Sequence, residues 1–433
     1  MSTIYFGNPH YMKLLIKQAT IADPSSPFNG LTQDIFIIDG VIDSISPIIE
    51  QEADKIIEAE NLHISQGWVD IFCQFNDPGA EHKETLESGA NAAVAGGYTD
   101  VFVVPNTSPC LHSKSQIEYV VQKSASLPAA VHPIGDITKN CEGRELAEMY
   151  DMKSSGAIAF TDGWNPLQSG QVMLKALQYV KAFDGVIIQV PDEVSLSKNG
   201  LMNEGIISTQ LGLPGKPAIA ESLMIARDIE LLRYTQSRLH ITGISTAAGI
   251  ELIRKAKAER LQITCSVTPY HLSFTDEDLA GYNTNLKVNP ALRTKADMEA
   301  LKTAVLDGTV DCISSHHYPQ NYDGKICEFE YAKYGMEGLE SSAGAVMQAL
   351  PQITAHQLAD LFTGNARKIF GLKTNAIDAK NKAAAITLFT TETENIFTKK
   401  QVQSLCTNNA FIGKTMGGKV IGTIRGKRLF LNS

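Results

Sequence analysis

Between Trp68 and Ile313 the chain carries eight short, nearly continuous apolar runs, and this repetition restricts the fold more than any other feature of the sequence. The runs are Trp68-Val69-Asp70-Ile71-Phe72, Asp100-Val101-Phe102-Val103-Val104, Val131-His132-Pro133-Ile134, Ala157-Ile158-Ala159-Phe160, Val186-Ile187-Ile188, Leu239-His240-Ile241-Thr242, Gln262-Ile263-Thr264-Cys265 and Val310-Asp311-Cys312-Ile313. A strand covered on both faces has no polar side, so it reads as a run rather than an alternation. Between the runs lie segments such as 220–237 and 247–259, apolar at three- and four-residue spacing, which read as helices. Eight buried strands alternating with helices is the count of a closed parallel (β/α)8 TIM barrel, a fold of about 250 residues. The 433 residues of this chain leave room for one more small unit.

That unit is written in the two ends. Residues 12–65 alternate apolar and polar positions in short stretches, with Asp39-Gly40 between Asp34-Ile35-Phe36-Ile37-Ile38 and Val41-Ile42-Asp43-Ser44-Ile45, the signature of a tight hairpin. The alternation returns past residue 371 and ends in Lys419-Val420-Ile421-Gly422-Thr423-Ile424-Arg425-Gly426-Lys427-Arg428-Leu429-Phe430. The expected organisation is an α/β chain with a barrel over 65–370 and a small β-sandwich domain composed of 1–64 and 371–433.

Composition excludes several functions. Lysine and arginine number 38 against 47 acidic residues, a net charge of −9 that does not suit a phosphate backbone, so no nucleic-acid partner is expected. The opening MSTIYFGNPHYMKLL has no basic segment followed by an apolar run, and no window of about 18 apolar residues occurs. A cytoplasmic protein without membrane association is therefore expected. Seven cysteines are scattered without a CxxC pair, which reads as reduced thiols rather than a disulfide framework or zinc knuckle.

In such a barrel, chemistry gathers where strands end and the following loops begin. Those loops contain Phe72 to Gly79, Pro105-Asn106-Thr107, Thr161-Asp162-Gly163, Gln189-Val190-Pro191-Asp192, Gly243-Ile244-Ser245-Thr246, Thr268-Pro269-Tyr270-His271 and Ser315-His316-His317-Tyr318-Pro319-Gln320. With Asp77-Pro78-Gly79 before His82-Lys83-Glu84, Gly200-Leu201-Met202-Asn203-Glu204-Gly205, Leu211-Gly212-Leu213-Pro214-Gly215, Asn289-Pro290-Ala291-Leu292-Arg293 and Tyr334-Gly335-Met336-Glu337-Gly338-Leu339-Glu340, the chain resembles the dihydroorotases of the amidohydrolase superfamily, in their longer bacterial form. The resemblance runs from about residue 14 to 431.

The resemblance implies zinc chemistry, in which imidazoles and a carboxylate hold Zn²⁺ to generate hydroxide and polarise an amide. It also implies that the ligand positions of this chain are replaced. The His-x-His pair of the first strand is matched by Phe72 and Gln74, and the substrate-gripping arginine by Asn76. The fifth-strand histidine is matched by Gln189, or by Val190 on a one-residue shift, and the sixth-strand histidine by Gly243. The catalytic aspartate position holds His316, leaving Asp162, beside Gly163, as the lone surviving metal candidate. On this reading no catalytic residue and no metal or cofactor is expected, while Asn106, Asn289 and His317 correspond to family positions that contact substrate. His240 and His271 read as structural, and Phe72 and Trp164 are bulky enough to fill a pocket.

The resulting expectation is a noncatalytic dihydroorotase-like protein with a structural or regulatory role in pyrimidine synthesis. Aspartate transcarbamoylase is the partner that the resemblance implies, and a homodimer is expected although no residue pattern fixes its interface. Two alternatives stay open. One is an active metal-dependent cyclic amidohydrolase, converting N-carbamoyl-L-aspartate to dihydroorotate with a rearranged centre drawn from His316, His317, Asp162 and Cys73. The other is a ligand sensor that keeps the pocket without turnover.

Overall fold

The structure is a computed structural model that describes residues 3–5, 12–379 and 384–432. The reading of the opening segment falls, at 1–2 and 6–11, outside the described residues. All eight apolar runs enter one ring of parallel strands. Trp68–Cys73 pairs with Tyr98–Val103, which pairs with Ala130–Pro133. On the other side Ile187–Gln189, Leu239–Ile241, Ile263–Val267 and Cys312–Ile313 follow in order. The fourth run joins these arcs through Phe160 alone, bridged to Gly135 and Ile187. The ring closes where the Gln74 amide donates to the His317 carbonyl at 2.7 Å and the Ser315 amide to the Asp70 carboxylate at 2.7 Å.

Alternate residues of these strands fill the interior, among them Val69, Phe102, Val104, Ile134, Ala159, Val186, Ile188 and Val190. Their neighbours face the outer helices. The two segments read as helices form over Ile219–Thr235 and Ala247–Ala258. The second begins where the Thr246 hydroxyl accepts the Gly249 amide at 3.0 Å, satisfying one of the donors a helix start leaves open.

The two chain ends share one nine-stranded sheet. The hairpin strands Thr32–Ile38 and Val41–Ser46 pair antiparallel, and Asp39 and Gly40 both take positive φ between them, as a tight hairpin turn requires. The seam between the ends lies where Ala385–Thr390 pairs antiparallel with His63–Gln66. Leu14, Ile16, Ile35, Ile37 and Ile64 from the first part meet Ile386, Leu388 and Ile424 from the last in one buried cluster. Among the described residues, no helix is long and apolar enough to cross a membrane.

Candidate functional site

The strand ends converge on an aromatic pack. A register irregularity between Asp70 and Cys73 brings both Ile71 and Phe72 into the interior, so the phenyl ring stands at the end of the first strand, fully buried. It lies 4.8 Å from the His316 ring and 5.0 Å from Trp164, and Trp164 stacks on Tyr318 at 4.7 Å with planes 11° apart. His316 Nε2 stands 2.8 Å from the Thr242 hydroxyl, while Nδ1 has no partner. Burial, with His271 and His240 nearby, holds this imidazole well below its ordinary pKa, so it is neutral.

Gln74 and Asn106 hold the cover in place. The Gln74 amide donates to the Asn106 carbonyl at 2.8 Å and accepts the Trp164 indole N–H at 3.0 Å. The Asn106 side chain accepts the Trp164 backbone amide at 3.1 Å and donates to the Asp162 carbonyl at 3.1 Å. Gly163 is what permits this, because a Cβ there would stand 1.7 Å from Asn106 Oδ1. Asn76 is buried with Nδ2 unpartnered.

The remaining positions named from sequence scatter. Strand alternation turns Val190 inward and Gln189 outward, where its amide nitrogen lies 3.4 Å from Asp228 and its oxygen accepts the Leu167 amide at 3.3 Å. Of the two residues, Val190 joins the interior cluster, and Gln189 packs against Leu167 and Asp228. Gly243 is buried against His316. Asp162 accepts the amides of Ile137 at 3.0 Å and Thr138 at 2.8 Å on one oxygen, and the Thr138 hydroxyl at 2.5 Å on the other. Burial pushes its carboxyl up to about 6.

His316 and His317 point apart, His316 to Thr242 and His317 to Gly338, although φ of 45° at His316 turns the backbone. His317 faces away from the mouth, accepting the Gly338 amide on Nδ1 at 3.2 Å and standing 3.4 Å from Glu84 with Nε2, without hydrogen-bond alignment. His317 is thus engaged with Gly338 and Glu84, while Asn106 is engaged with Trp164 and Asp162. Asn289 is elsewhere again, accepting Lys216 Nζ at 2.8 Å, and Lys216 pairs with Asp192 at 3.2 Å. Cys73 donates to the Phe102 carbonyl at 3.2 Å and does not reach His316. His240 lies between Thr264 at 2.9 Å and Ser266 at 3.1 Å, and burial pushes it down to about 3. His271 bonds Thr268 at 2.9 Å and the carbonyls of Pro290 and Ala291 at 3.2 Å.

Two clusters escape sequence reasoning. Cys110, Asp136 and Cys141 come together beside Asp162, and burial plus the charges of Asp162 and Cys110 pushes the Asp136 carboxyl up to about 9. His317, Glu337 and Glu340 meet behind the barrel wall, where burial and Glu340 raise the Glu337 carboxyl well above its usual range. Neither has a spacing signal, because each joins separate loops.

A closed (β/α)8 barrel beside a sheet drawn from both chain ends, with its site at the strand ends, defines the amidohydrolase fold. The L-hydantoinase (dihydropyrimidinase) of Arthrobacter aurescens superposes with a TM-score of 0.83 at 19% identity, covering 97% of this chain and 96% of that one. The dihydropyrimidinase of Brevibacillus agri gives 0.81 at 18% identity over 96% and 95%. Residues 63–248 match the family model described as Dihydro-orotase-like. A dihydroorotase of Ruminiclostridium cellulolyticum is 36% identical over 419 residues, 96% of this chain and 97% of the relative. One of Carboxydothermus hydrogenoformans is 38% identical over 394 residues, 90% and 92% respectively. The chain belongs to the dihydroorotase family.

Proposed function

We propose that this chain is a dihydroorotase-family protein that does not hydrolyse or close the dihydroorotate ring, and that it serves pyrimidine synthesis as a structural or regulatory subunit. The observation carrying this reading is the packing of Phe72 against His316 and Trp164 at the strand ends. A zinc centre there needs converging nitrogen and oxygen donors. Phe72, Val190 and Gly243 offer none in their side chains, Gln189 is engaged with Leu167 and Asp228, Gln74 with Asn106 and Trp164, and Asp162 uses both oxygens on Ile137 and Thr138. The donor set does not fit the metal that the family resemblance implies, and the aspartate that would exchange protons is His316, itself neutral.

A folded barrel without its chemistry acts through what it binds. The occupant we assign is aspartate transcarbamoylase, with this chain as a cytoplasmic homodimer in the complex. Purified protein supplied with Zn²⁺ and either dihydroorotate or N-carbamoyl-L-aspartate is expected to show no turnover, and to co-elute with the transcarbamoylase of the same organism at micromolar concentration. Turnover abolished by a chelator would replace this reading with an active cyclic amidohydrolase. That second reading is favoured by the name dihydroorotase carried by relatives aligned over nearly the whole chain.

A further inference from the structure

We propose that Cys110, Asp136 and Cys141 bind a thiophilic divalent metal ion of the zinc class at the rim of the barrel, outside the strand-end positions discussed above. One donor atom of each residue lies within 4.8 Å of the other two. Two thiolates and a carboxylate select zinc over magnesium or calcium, and three protein ligands leave a fourth position for water. Cys110 is partly exposed while Asp136 and Cys141 are buried, so the open position faces the side from which solvent and the ion arrive.

The surroundings orient these donors. Cys141 Sγ stands 3.2 Å from one Asp136 oxygen, and the Cys141 backbone amide donates to the other at 3.2 Å. Asn106 Nδ2 approaches Cys141 Sγ at 3.4 Å, as donors to a metal-bound thiolate do. Asn140 and Cys141 are consecutive non-glycine residues with positive φ, at 57° and 53°, and this turn folds the thiol back onto Asp136. Bond lengths of about 2.3 Å to sulfur and about 2.0 Å to oxygen put tetrahedral ligand atoms about 3.5–3.8 Å apart, inside the 4.8 Å that bounds the separations here.

Charge points the same way. Asp136 and Asp162 are both buried, and among the described residues neither carboxylate is paired with a lysine or arginine. Asp162 has its oxygens committed to Ile137 and Thr138, so it contributes field rather than a ligand. A bound ion ties the loop after the second strand to the loop after the third. Asn106 passes that tie to Gln74 and Trp164, which cover the mouth.

The test uses full-length protein purified without a metal-affinity tag. Elemental mass spectrometry is expected to find about one zinc per chain, falling to background in Cys110→Ser/Cys141→Ser and in Asp136→Asn. His316→Ala is expected to keep the metal, which separates this site from the mouth. After exchange into Co²⁺, wild type is expected to show the near-ultraviolet thiolate-to-cobalt band, and Cys141→Ser to lack it. Circular dichroism checks that each variant is folded, and a chelator is expected to lower the Tm of wild type but not that of the double serine variant. Metal-free wild type that takes up neither ion, metal retained without the two thiols, or a Cys110–Cys141 disulfide in freshly purified protein would overturn the proposal. Turnover is not among these readouts, so the result stands apart from the question of catalysis.

Discussion

Gly243 and His316 share one volume: a Cβ at position 243 would stand 2.4 Å from His316 Cε1, and the glycine holds φ of +72°. The two residues are therefore one packing solution. The absence of a side chain at Gly243 leaves the space into which the His316 imidazole turns. Gly243→Ala is expected to destabilise the fold by about 2–4 kcal/mol, through steric overlap and left-handed backbone strain. In a His316→Ala background the same substitution should cost less by about 1 kcal/mol or more, because the closest overlap is gone and only the strain and the contact with Pro290 Cδ at 3.2 Å remain. Urea denaturation of the four proteins measures the difference, and equal costs in both backgrounds would remove the claim that the two residues are coupled.

On the function proposed above, a His-x-His pair placed on the first strand addresses only part of the mouth. Phe72→His/Gln74→His supplies two imidazoles, yet Val190, Gly243 and His316 still offer no fifth-strand histidine, no sixth-strand histidine and no carboxylate. The Gln74 substitution also removes the acceptor of the Trp164 indole N–H. The double variant with excess Zn²⁺ is expected to show no dihydroorotate hydrolysis above the no-enzyme rate. Measurable turnover would mean that fewer positions matter than the geometry requires.

The barrel was legible because its strands are covered on both faces, so Val186-Ile187-Ile188 and Asp100 to Val104 stand out as runs without polar alternation. The hairpin at Asp39-Gly40 was legible because positive φ at both turn positions favours those residue types. Gln189 against Val190 was not decidable, since a one-residue shift exchanges the two faces of a strand and only the neighbouring rows in the folded ring settle which is inward. The clusters of Cys110 with Asp136 and Cys141, and of His317 with Glu337 and Glu340, stayed hidden for another reason. Each joins two distant segments, Cys110 to the loop that holds Asp136 and Cys141, and His317 to the segment that holds Glu337 and Glu340, and tertiary geometry brings them together without leaving a period in the chain.

Asp162 has a structural task. Its two oxygens receive the amides of Ile137 and Thr138 and the Thr138 hydroxyl, all buried. Asp162→Ala leaves three donors without an acceptor and is expected to cost about 2–4 kcal/mol in urea denaturation. Asp162→Asn keeps an oxygen for the two amides and should cost about 1 kcal/mol. If alanine proves as well tolerated as asparagine, the hydrogen bonds are not what holds this loop.

His240 provides a pH test free of the opposing carboxylates. Its neutral imidazole bridges Thr264 and Ser266 inside the barrel, and burial brings its pKa to about 3. In the unfolded chain the same group titrates near 6.5. Below that value the unfolded state takes up a proton that the folded state refuses, so this residue's contribution is complete above about pH 6.5 and is lost on acidification. Buried acids such as Asp70, raised to about 6, act in the reverse direction and mask the effect in wild type alone. His240→Gln cannot titrate and shares every other group, so the difference between the two proteins isolates the imidazole. Between pH 7.5 and pH 5 wild type is expected to lose about 2 kcal/mol relative to the variant, measured by urea denaturation at each pH. A pH-independent difference would show that His240 is protonated equally in both states, which its burial between two hydroxyls does not allow.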